Sequence, residues 1–135
     1  MNASPQALAS ALYTAYQDVA KRYTAALRMV GEVVAASHRG EAIDEQLGQV
    51  LALLAETTSQ DVSLAPVRQQ WEQAGRPCSD TLRTVMESIA SLIRQIQNEL
   101  QVLSQAVQAR RDQLADELDA CNRRCRMQRA YQGKS

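Results

Sequence analysis

The chain has 135 residues, enough for one domain with a modest core and too few for two. It contains no Phe, one Trp and four Tyr, and its 15 basic residues balance 15 acidic ones, so no whole-molecule field draws it to nucleic acid or anionic lipid. Ala, Leu, Gln, Arg and Glu dominate, the residue set of long helices, and the expected class is all-α.

Helix one is expected over about residues 5–38. Ser4 can cap it, and Pro5 falls at the first helical position, where its missing N–H costs nothing. Leu8, Leu12, Ala15, Val19, Ala26, Val30 and Val33 recur close to every 3.5 residues, until Gly40 supplies a stop. The same N-terminal stretch lacks the basic flank and unbroken apolar core of a signal peptide, and no run approaches about 18 apolar residues. A soluble cytoplasmic protein without membrane insertion is expected. Three cysteines, Cys78, Cys121 and Cys125, with no disulfide-framework spacing agree with a reducing compartment.

A second helix is expected over about residues 42–57, with Ile43, Leu47, Val50, Leu51 and Leu54 on one face and acidic residues outside. The next stretch, "TTSQDVSLAP", is rich in residues that favour turns, which predicts a loop. A short helix over 64–74 then carries Trp71, which anchors that helix to the bundle if buried and is a binding hot spot if exposed.

That short helix ends at Gly75; at "RPCSD", Pro77 stops continuation and Ser79 or Asp80 can cap a new helix. From there Leu82, Val85, Ile89, Leu92, Ile96, Leu100, Leu103, Val107, Leu114, Leu118, Cys121 and Cys125 recur at threes and fours without Pro or Gly. This predicts one helix over about 79–130, its patterned stretch of about 45 residues spanning roughly 70 Å. The expected architecture is therefore an antiparallel bundle or hairpin of three to four helices with a long C-terminal helix. Helix one cannot cover that helix along its whole length, so part of the apolar stripe is left for a second copy of the chain or for another protein.

Cys121 and Cys125, one turn apart, could grip a metal ion. Only Cys78 and His38 could complete a four-ligand set, and small apolar fillers continuing the helix seam from Leu118 explain the pair better. No metal or other cofactor is expected. Arg123, Arg124, Arg126 and Arg129, with Lys134, form a basic end that could contact phosphates. Without interleaved aromatic residues it reads rather as a helix terminus whose cations complement the free carbonyls, and no nucleic-acid partner is expected. The lone His38 has no nucleophile motif to serve, and HExxH, GxSxG and phosphate-loop patterns are absent, so no catalytic residue is expected.

The long stretch "TLRTVMESIASLIRQIQNELQVLSQAVQARRDQLADELDACNRRCRMQRAYQGKS" comes after a long first helix, a Leu-rich acidic second helix and a variable middle. In this layout the chain resembles the FlgN/FliT class of flagellar type III export chaperones. The resemblance implies a non-enzymatic protein that binds hook–filament junction or filament-cap subunits and delivers them to the export gate. It implies a client-binding face at Leu100, Leu103, Val107, Leu114, Leu118 and Cys121, and a gate contact at Tyr131. The alternatives are a homodimeric coiled-coil scaffold in which the long helix pairs with itself, and a regulator that uses the arginine end on nucleic acid.

Overall fold

The computed structural model describes residues 4–133. Among the described residues four helices succeed one another in chain order: α1 (Pro5–His38), α2 (Asp44–Ser63), α3 (Ala65–Gln73) and α4 (Ser79–Gln132). At 1.5 Å per residue, α1 is about 51 Å long and α4 about 81 Å. Ser4 caps α1 as its position predicts, its Oγ accepting the Ala7 N–H at 3.1 Å. At the other end Gly40 (φ 74°) turns the chain left-handed, and the Glu41 and Gly40 N–H groups close onto the Ala36 and Ser37 carbonyls. Gly75 (φ 90°) ends α3 by the same device.

α1 is the centre of the bundle, contacting all three other helices. Its buried stripe, including Leu12, Tyr16, Val19, Tyr23, Ala26, Val30 and Val33, meets Val50 of α2, Trp71 of α3 and Leu82, Val85, Ile89, Ile96 and Leu103 of α4. Polar contacts fix the α1–α2 register. Arg22 Nη1 donates to Glu56 Oε1 at 3.4 Å and Gln60 Nε2 to Asp18 Oδ2 at 2.8 Å, so these neighbours run antiparallel. α4 then runs back parallel to α1. Tyr13, near the start of α1, shares a hollow with Asp80, Thr84 and Ser88, whereas Ser37 to Gly40 share one with Ala106, Ala109, Arg110, Gln113 and Leu114.

Three local expectations are corrected. The segment expected as a loop is the second half of α2, because it packs on α1. Thr57 is fully buried with its hydroxyl bonded to the Leu53 carbonyl at 2.7 Å, and Thr58 approaches the Tyr23 hydroxyl at 3.4 Å. Leu51, expected on the buried face, is 49% exposed, and Leu53 takes part in the core contacts instead. Neither Ser79 nor Asp80 caps α4. Arg76 and Cys78 take left-handed φ values of 56° and 55°, so Cys78 occupies the cap position and both expected caps lie inside the first turn.

Candidate functional site

The feature that sets this fold apart from a closed bundle is the free end of α4. α1 terminates level with Ala109 and Arg110, its Ser37–Gly40 end bordering a hollow that reaches Gln113, Leu114 and Glu117, and among the described residues nothing covers α4 from Leu118 on. Every residue from Gln108 to Gly133 except the half-buried Ala120 is exposed. The stretch from Leu114 to Gln132 projects about 28 Å past the bundle. Its helix has no Gly or Pro before Gly133, and it keeps the apolar spacing of the core.

On a helical wheel, Leu114, Leu118, Cys121 and Cys125 fall on the same side of α4 as Leu82, Val85, Ile89, Ile96 and Leu103. The free stripe is thus the core-facing stripe of α4 carried past the end of α1. Leu114 is 54% and Leu118 62% exposed. The six residues expected as a client face accordingly divide. Leu103 is a buried core residue, and Leu100 and Val107 are half-buried against the core. Leu114, at the edge of the hollow under the end of α1, and Leu118 and Cys121 beyond it are exposed. Leu100, Leu103 and Val107 also line, with Leu47 and Leu51 of α2, a shallow groove of about 330 Å³ that leads from the bundle toward the free stripe. Sequence periodicity gave no sign of this groove, because it arises from two helices that both lean on α1.

The two arginines Arg110 and Arg111 separate the covered and free parts of the stripe. Beyond them the charges are ordered in two blocks, first Asp112, Asp116, Glu117 and Asp119, then Arg123, Arg124, Arg126 and Arg129. Among the described residues, none of these eight belongs to an ion pair; the carboxylates of Asp112 and Glu117 accept only from Gln108 and Gln113 at 3.1 and 3.5 Å. Lys134, the last member of the basic end, lies outside the described residues. Tyr131 is 76% exposed and sits more than a quarter-turn round the helix from the free stripe, on a side shared with Met127.

Cys121 and Cys125 are both exposed, on one face as their spacing requires. Among the described residues no third ligand reaches them. Cys78 is about 65 Å away along α4, and His38, level with Ala109, about 18 Å. No group of three or more His, Cys, Asp or Glu among the described residues could hold a metal ion. Trp71 is a structural anchor. It is 6% exposed, and its Nε1–H donates to the Pro77 carbonyl at 2.7 Å, tying α3 to the turn that launches α4.

No helix among the described residues is long and apolar enough to cross a membrane. Comparison with protein-family models, with curated proteins and with solved structures finds no match to this chain.

Proposed function

We propose that this chain is a non-enzymatic cytoplasmic chaperone that binds flagellar subunits of the hook–filament junction or filament-cap type through the free end of α4. In this reading Tyr131 contacts the export gate. The observation that carries the proposal is the continuation of the core-facing stripe of α4 about 28 Å past the helix that covers it. A helix face of this kind accepts an amphipathic client helix in the place α1 occupies lower down. The resemblance of the long-helix layout to the FlgN/FliT class supplies the client class.

The size of the stripe suits a chaperone that must also release. Burying what is exposed of Leu114 and Leu118 contributes about 1–2 kcal/mol each, and the cysteines less. The unpaired arginines beyond the stripe add attraction for an acidic client segment.

Leu114→Asp tests the face. The carboxylate would have to be desolvated on binding, so affinity for a junction subunit is expected to fall at least about tenfold while circular dichroism stays that of the parent. Unchanged capture of the subunit by this variant refutes the assignment. Tyr131→Ala is expected to leave subunit binding intact and to weaken export.

A further inference from the structure

We infer that the free end of α4 pairs antiparallel with the same segment of a second copy of this chain. The inference concerns self-pairing only and holds whatever client the protein carries. It rests on the order of residues along three rows of the free helix, together with the exposure of that helix.

In heptad terms Leu114 and Cys121 are at d, and Leu118 and Cys125 at a. Antiparallel pairing places a opposite d. Two copies centred between Asp119 and Ala120 then form layers of Leu114 against the partner's Cys125 and Leu118 against the partner's Cys121, each occurring twice by symmetry. Every layer joins one large and one small apolar side chain, which is how facing positions interdigitate.

The row flanking this seam on one side is Arg110, Glu117, Arg124 and Tyr131. In the same register Glu117 meets the partner's Arg124, and Arg110 meets the partner's Tyr131, an ion pair and a cation–aromatic contact, again each made twice. Parallel pairing fails on the same residues. It sets Arg124 against the partner's Arg129, lays the acidic block along the acidic block and the basic block along the basic block, and leaves Glu117 facing Asn122. The free charges of one chain, without ion pairs of their own, are thus complementary to themselves only when the helix is reversed. α1 stops at the level of Ala109, and the Leu118, Cys121 and Cys125 positions lie wholly beyond it; Leu114 also borders the hollow under Ser37 to Gly40 but is 54% exposed, which leaves it open to the partner.

The test is sedimentation velocity on the full chain over a wide concentration range, with Glu117→Arg, Arg124→Glu and the double variant. The parent is expected to shift from monomer to dimer as concentration rises, because only four short layers are formed. Each single reversal sets like charges opposite each other and is expected to remove the dimer. An equimolar mixture of the two singles, and the double variant alone, are expected to restore it, since both recreate opposite charges across the seam. Glu117 and Arg124 are exposed and outside the core, so circular dichroism is expected to be the same throughout. A parent that stays monomeric at every concentration, single reversals that still dimerise, or a mixture and double variant that fail to recover would each overturn the inference.

Discussion

Tyr16 shows how a single side chain ties the helices to solution conditions. It is 2% exposed, with Arg68 Nη1 3.4 Å from its hydroxyl. Burial pushes its pKa above the ordinary 10.0, and the Arg68 charge only partly opposes this. The folded state thus holds the phenol proton more tightly than the unfolded chain does. The stability this contributes is complete below pH 10.0 and is lost as pH rises through the raised folded value. Urea midpoints measured from about pH 8 to about pH 11 are expected to fall on the alkaline side, and Tyr16→Phe should flatten that fall. On the acid side the sign reverses. The Gln60 amide bonded to Asp18 and the Arg39 guanidinium bonded to Glu41 hold both carboxyls below their usual range. Their contribution is present above the ordinary carboxylate values and is lost as pH falls through the lowered ones.

At the scale of elements, what was local in the sequence was readable and what depended on a neighbour was not. Ser4 with Pro5, Gly40 and Gly75 announce helix ends through backbone chemistry that acts within a few residues, and the structure uses each of them. The helical state of "TTSQDVS" could not be read this way. Its residues each disfavour helix by only a few tenths of a kcal/mol, and burial of Thr57 with the Gln60–Asp18 bond outweighs that. The cap of α4 was missed for a similar reason. Trp71 fixes the Pro77 carbonyl from another helix, and the turn it holds starts α4 one residue earlier than the Ser-Asp pair signals.

The stripe of α4 was legible over its whole length, but periodicity alone does not say where its cover ends. That depends on the parallel register of α1 against α4, which places the last turn of α1 beside Ala109 and leaves Leu114 free while Leu103 is core. The two leucines therefore respond differently to one substitution. Leu103→Asp is expected to destabilise by more than about 3 kcal/mol, since a charge would be buried without a partner. Leu114→Asp should stay within about 0.5 kcal/mol of the parent, as exposed substitutions do. Thermal or urea unfolding of the two variants side by side checks both.

For the whole molecule, the bundle is a handle and the free end of α4 is the working part. α1, with α2 and α3 packed on it, covers the apolar face of the first half of α4 and sets the direction in which its second half projects. A client helix and a second copy of the chain compete for the same stripe, so a self-paired form would cover Leu114 and Leu118 until a client displaces the partner. The measurement that bears most directly on this division is amide hydrogen exchange on the dilute chain, with and without a hook–filament junction subunit. Alone, the amides from about Leu114 to Gln132 are expected to exchange fast, whereas those of α4 from Leu82 to Leu103 are protected by α1. With the subunit, new protection should appear from about Val107 onward and hardly at all in α1, α2 or α3. Protection gained in the bundle while the free end stays fast, or no gain anywhere, would contradict the account.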